Sequence, residues 1–146
     1  MVATITFYDQ FLQSLGDGTM DMNTDTFNLA LLTNAHVFSA ADTVFADVSA
    51  DEIAAGNGYV AGGQALTGVT YVQTAGVVKF DANDIIWTAT GGPIATSRFA
   101  VLYDTNSVGS VNALLALIDM GADQVLGIGD ALTVRPDLAN GLFTIT

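Results

Sequence analysis

Thr24-Asp25-Thr26-Phe27-Asn28-Leu29-Ala30-Leu31-Leu32-Thr33 decides how the chain is read. Successive side chains of a strand point to opposite faces, so Phe27, Leu29 and Leu31 fall on one side and Asn28, Ala30 and Leu32 on the other. One side is wholly apolar and the other is apolar apart from a single Asn. A strand with one wet face would alternate more cleanly, so the pattern predicts a strand covered on both faces.

Working outward, the rest of the chain supplies more strands. Apolar runs near residues 66–73, 76–81, 84–89, 98–104, 111–120, 132–135 and 141–146 are separated by Gly, Asn, Asp and Pro turn signals. Leu114-Leu115-Ala116-Leu117-Ile118 suits a helix by composition, but its short length between turn signals favours a central strand. About eight short strands predict a mainly β chain, an antiparallel β-sandwich or barrel-like fold, with residues 1–146 as a single domain. The segment 81–84, Asp-Ala-Asn-Asp, reads as a hairpin turn.

Two segments do not read as strands. Residues 6–15 predict a short amphipathic helix, with Phe7, Phe11 and Leu15 at i, i+4 and i+8, Tyr8 and Leu12 beside them, Thr6 as N-cap and Gly16 as the stop. Its expected place is against its own sheet rather than on a neighbouring subunit. Residues 34–63 form a long apolar-bearing loop containing Phe38, Phe45, Tyr59 and Val60. Within it, Ser49-Ala50-Asp51-Glu52 has the form of a capping box ahead of Ile53-Ala54-Ala55. A connection of this length inside a compact domain is uncommon and often functional; its apolar residues either plug the sandwich or face a partner.

Composition narrows the partners. Fifteen acidic residues against three basic ones give a net charge of −12. Lys79, Arg98 and Arg135 are far apart in sequence and cannot neutralise a row of phosphates, which argues against nucleic acid and against anionic membrane surfaces. Charged residues make up only 12% of the chain, against ~25% in ordinary soluble domains. That shortage favours an assembly in which part of the exterior is covered, over a monomer coated in Thr, Ser, Asn and Gln. No secretory leader is expected from residues 1–11, and no apolar run reaches the ~18 residues of a membrane span.

The inventory for chemistry is small: one His (His36), one Glu (Glu52) and no Cys. No disulfide, zinc cluster or catalytic triad can be assembled from it, and no enzyme, metal or cofactor is expected. Asp21-Met-Asn23-Thr-Asp25 opens like a calcium loop, but Thr26 and Leu32 stand where the Gly and the closing Glu belong. Tyr59, Tyr71, Trp87 and Tyr103 are the candidates for stacking on a sugar, as in a carbohydrate-binding module; their expected place is the core.

Several pieces, in order, resemble a family of small bacteriophage virion proteins. They are Phe11-Leu12 with Gly16 or Gly18; Asp21-x-x-Thr24-Asp25-Thr26-Phe27-x-Leu29-Ala30-Leu31-Leu32-Thr33; and Asp47-Val48-x-x-x-Glu52-Ile53-x-x-Gly56-x-Gly58-Tyr59-x-x-Gly62-Gly63-x-x-Leu66. Phe80-Asp81-Ala82-x-Asp84-x-x-Trp87, Arg98-x-Ala100-Val101-Leu102-Tyr103-Asp104 and Ile118-Asp119-Met120-Gly121 follow. The resemblance implies a structural role in the virion, as a capsid cement or decoration protein bridging capsid subunits, with a tail or head–tail connector component as the alternative. It implies the major capsid protein or other virion proteins as partners, a homo-oligomer with a trimer suggested by analogy, and assembly in the host cytoplasm. Phe38, Phe45, Tyr59 and Val60 are then the expected contact residues.

Overall fold

A computed structural model describes residues 3–106 and 111–146. The order is β1 (Thr4–Phe7), α1 (Asp9–Asp17), β2 (Phe27–Leu32), α2 (Phe45–Val48), a 3-10 turn (Ser49–Asp51), β3 (Gln64–Ala65), β4 (Thr70–Thr74) and β5 (Val77–Asp81). It continues with β6 (Ile85–Thr88), β7 (Ile94–Asp104), β8 (Ala113–Leu126), β9 (Ala131–Val134) and β10 (Phe143–Ile145). The turn signals between the runs at 98–104 and 111–120 lie mostly outside the described residues.

The fold is mainly β and sandwich-like. One layer is a five-stranded antiparallel sheet in the order β1-β8-β7-β2-β3. Facing it are a three-stranded sheet, β10-β5-β4, and a two-stranded ribbon, β6-β9. Phe27, Leu29, Leu31, Ala100, Leu102, Leu115 and Ile118 from the first layer share one core with Phe80, Ile85, Trp87, Leu132 and Phe143 from the second. The Phe27 and Phe80 rings meet edge to face at 5.2 Å across it.

The other side of the five-stranded sheet is also covered, as the alternation in β2 requires. Ala30, Leu32, Val101, Tyr103, Leu114 and Leu117 point away from the sandwich into a second core with Tyr8 and Val48. Phe38, Phe45 and Phe99 pack against that core. Within residues 34–63, Phe38, Phe45 and Val48 therefore form a third layer over the sheet's outer face, while Ile53 and Tyr59 turn in at the β2 edge and join the sandwich core. The run at Leu114 is a central strand: β8 sits between β1 and β7, and residues 113–118 are all buried.

Several expectations are corrected. Thr6 cannot cap a helix, because it pairs with Leu117 inside β1. The helix starts at Asp9 after an extended Tyr8 with no side-chain cap, and runs through Gly16 to Gly18, whose positive φ of 74° ends it. Phe11 is buried, but Leu12 faces outward at 60% exposure. The predicted turn of helix at residues 53–55 does not form, because the Ile53 N–H donates to the Leu31 carbonyl at 3.1 Å. The helical turn comes earlier, as α2. The segment at residues 81–84 is a crossover and not a hairpin, since β5 and β6 belong to different sheets. The Asn83 N–H and Nδ2 bind the carbonyl and hydroxyl of Thr67 there.

Strands β7 and β8 run further than their turn signals suggest. Their pairing jumps from Ser97 opposite Gln124 to Phe99 opposite Asp119, so residues 120–123 of β8 face the single residue Arg98. This wide bulge absorbs Gly121, at φ 79°, whose N–H is held by the Asp119 carboxylate at 2.8 Å.

Candidate interaction surface

The second half of the 34–63 segment is fastened along the free edge of β2. Beyond the two-residue β3, that edge must find other partners for its backbone groups, since a buried N–H or C=O left alone is costly. The Leu66 N–H reaches the Phe27 carbonyl, the Ile53 N–H reaches Leu31, and the Thr33 N–H reaches the Asp51 carbonyl. The remaining Leu31 N–H donates to a side chain, the Tyr59 hydroxyl, at 3.0 Å.

Tyr59 is the pivot of a half-buried polar chain. Its hydroxyl donates to the Glu52 carboxylate at 2.7 Å, and the same oxygen, Oε1, accepts the Gly62 N–H at 2.6 Å. The Gly62 carbonyl in turn accepts the Tyr103 hydroxyl at 2.7 Å. Asn28, the one polar residue on the outer side of β2, donates through Nδ2 to that carbonyl and to the Tyr103 oxygen, both at 3.3 Å. Burial, with the Glu52 carboxylate next in weight, pushes the Tyr59 hydroxyl well above the ordinary tyrosine range. Burial raises Tyr103 in the same direction. Both phenols are thus held as donors.

A second tie comes from His36. Its ring is buried, with Nδ1 2.8 Å from the Asp51 carboxylate and its edge toward Phe99 at 5.8 Å. This contact fastens the turn after β2 to the 3-10 turn. A third is Asp47, whose carboxylate accepts the N–H groups of Thr43 and Val44 at the start of α2. Those two bonds, Thr43 first, hold its carboxyl below the ordinary aspartate range.

The four residues expected at a partner contact are not alike. Tyr59 is buried, and its ring and hydroxyl are committed to the fold, so it is not available to a partner at this surface. Phe45 is half-buried and stacks on Tyr103, with centroids 4.4 Å apart and planes 17° from parallel. Phe38 is half-buried against Tyr8 at 5.0 Å. Val60 alone of the four is largely free, at 68% exposure. The structure adds Val37, which sequence reasoning missed, at 82% exposure beside the buried His36. Its only sequence signal is an apolar residue flanked by loop residues.

The charge of this layer is one-sided. Residues 34–63 contain Asp42, Asp47, Asp51 and Glu52 and no Lys or Arg. The chain's three cations are all bound elsewhere to aspartates: Lys79 to Asp81 at 3.1 Å, Arg98 to Asp119 at 3.3 Å and Arg135 to Asp84 at 2.9 Å. The outer layer therefore presents acid and isolated valines on a framework tied down from beneath.

The aromatic candidates for sugar stacking offer no platform. Trp87, Tyr59 and Tyr103 are buried, leaving only Tyr71 half-exposed. Tyr103 has a satisfied hydroxyl, while the Trp87 indole N–H meets no acceptor among the described residues. The calcium-like opening is closed on itself: the Asp21 carboxylate accepts the Asn23 N–H, and the Asp25 carboxylate accepts the Asp21 N–H. Among the described residues, no group of three or more His, Cys, Asp and Glu converges, and no helix is long and apolar enough to cross a membrane. No family model matches the chain, nor does any curated protein or solved structure.

Proposed function

We propose that this chain is a structural protein of a bacteriophage virion, a capsid cement or decoration protein that bridges capsid subunits through its outer layer. The supporting observation is a layer whose own side chains fasten it to the sheet while Val37 and Val60 stand out of it at 82% and 68% exposure. A surface held rigid before contact loses little conformational freedom on binding, so modest apolar contact suffices when many copies bind a repeating lattice. The acidic surround favours a partner face that carries lysine or arginine. The resemblance in residues 7–121 supports the virion setting. A tail or head–tail connector role uses the same surface and differs in stoichiometry.

The test is to measure copy number and position in purified particles. A decoration protein is expected at copy numbers on the scale of the shell's own subunits, and a connector at the scale of one ring. Val60→Asp, which adds charge to an exposed site, is expected to leave the unfolding midpoint unchanged and to lower occupancy on particles. Absence of the chain from particles, or undiminished occupancy of Val60→Asp and Val37→Asp, overturns the proposal.

A further inference from the structure

β4 is an unprotected sheet edge. Natural edges are blunted by shortness, charge, proline, bulges or cover, because their free N–H and C=O groups template pairing with another chain. The other edges of this fold are dealt with. β3 has two residues and β10 three, and Phe143 of β10 lies against Phe7 and Phe11. Ala3 and Ile5 line a pocket together with Arg135, Pro136 and Asp137, which places that segment beside β1. The Ile86 carbonyl of β6 accepts Gln64 Nε2, and β9 shares a cleft with Met120 and Gln124 of β8. β4, Thr70-Tyr71-Val72-Gln73-Thr74, is five residues long, exposed at four of them, and carries no charge and no proline.

Its register fixes what the open side offers. The two-residue turn Ala75-Gly76, both at positive φ (52° and 85°), makes Thr74 and Val77 a hydrogen-bonded pair. Alternation then turns the N–H and C=O of Thr70, Val72 and Thr74 toward β5, and those of Tyr71 and Gln73 toward the open side. No strand lies there among the described residues.

We infer that this edge pairs with the β4 edge of a second copy, antiparallel about a two-fold axis at Val72, joining two three-stranded sheets into one of six strands. Tyr71 of each copy then exchanges two hydrogen bonds with Gln73 of the other. Val72, 53% exposed on the outer face, meets its own copy as the close, non-hydrogen-bonded pair. Charge selects this occupant and this place. Around a two-fold axis like meets like, and a chain of net charge −12 can approach itself only where its acid is absent or neutralised. β4 brings no charge, and the neighbouring outer-face charges, Lys79 and Asp81, neutralise each other at 3.1 Å. The pairing does not rest on any virion role.

The chain has no cysteine, so a single introduced thiol reports contact between copies directly. Val72→Cys and a control of matched exposure, Ile86→Cys (Ile86 is 49% exposed), are oxidised with glutathione disulfide on the full chain. Val72→Cys is expected to form the disulfide-linked dimer at least about tenfold faster, because paired edges hold the two thiols at high effective concentration. In sedimentation equilibrium, the wild type is expected to gain mean mass with concentration. Val72→Lys and Gln73→Pro are expected to remain single chains with an unchanged far-UV spectrum, since the Gln73 N–H points away from β5. Equal cross-linking of the two thiols overturns the inference. So does a wild-type mass that stays at that of one chain at every concentration, or a single-chain wild type that takes up an added extended peptide along β4 instead.

Discussion

Tyr59 is where a residue's apparent role and its actual one diverge most. An aromatic in a long apolar-bearing loop reads as a binding anchor, yet its hydroxyl completes the hydrogen bonding of β2 through Leu31. Tyr59→Phe keeps the ring and removes the oxygen, leaving the Leu31 N–H without its acceptor and Glu52 with the Gly62 N–H but not the tyrosine donor. It is expected to lower stability by about 1–3 kcal/mol in urea denaturation, with little change in secondary structure. Asp47 gives a pH-dependent counterpart. Its folded carboxyl titrates below the ordinary aspartate value, so its contribution is fully present above about pH 4 and is lost as pH falls below that. Between pH 5 and pH 2.5 the wild type is therefore expected to lose more stability than Asp47→Asn, read from urea midpoints. At this scale the sequence was readable where side chains alternate and unreadable where a side chain serves distant backbone. Asn28 shows both: its place on the outer side of β2 follows from parity, while its partners, Gly62 and Tyr103, lie far along the chain.

At the level of elements, buried strands with uninterrupted apolar runs were legible, and so were the edge strands β4, β6, β9 and β10, whereas the edge strands β1 and β3 were not. β2 and β8 follow directly from their alternation and length. β1 is missed because Phe7 and Phe11 satisfy a helical spacing while belonging to two elements, a strand and the helix after it. The full length of β8 is missed because Gly121 reads as a stop, whereas the bulge at residues 120–123 lets the strand continue past it. The helical signal at residues 53–55 loses to the demand of the β2 edge for backbone partners, and only a 3-10 turn forms at Ser49–Asp51. The turn at Gly62-Gly63 shows how tightly these pieces fit. Gly63 has φ 75°, and a Cβ there would overlap the Leu29 carbonyl and the Cα of Ala30. Gly63→Ala is expected to cost about 2 kcal/mol or more, because the β2 backbone it would strike is itself fixed in the sheet. A thermal melt measures it, and unchanged stability would show that the turn can move away from β2.

For the whole molecule, the sandwich-like architecture was legible and the candidate surface only partly so. The long connection was recognisable as special, but nothing local distinguishes Val60, which stays outside, from Tyr59, which turns in. That choice depends on a strand edge built from residues 27–32 and on a glutamate seven positions earlier. Tying the segment to the sheet through Tyr59 and Glu52, and bracing it internally at His36 and Asp47, also separates two properties that are often confused. Substitutions at the ties act on folding, and substitutions at Val37 and Val60 act on contact. The outer layer leaves the sheet after Leu32 and returns at Gln64, which lies opposite Leu29 of the same strand. The segment thus leaves and rejoins the sheet at one strand, with no other strand of the sheet between its two ends. This makes the segment an exchangeable cartridge: a different sequence could be inserted there and present a different face, provided it brings its own apolar groups to lie over Leu32, Val101, Leu114 and Leu117, its own fill for the sandwich core and its own partners for the Leu31 and Thr33 backbone.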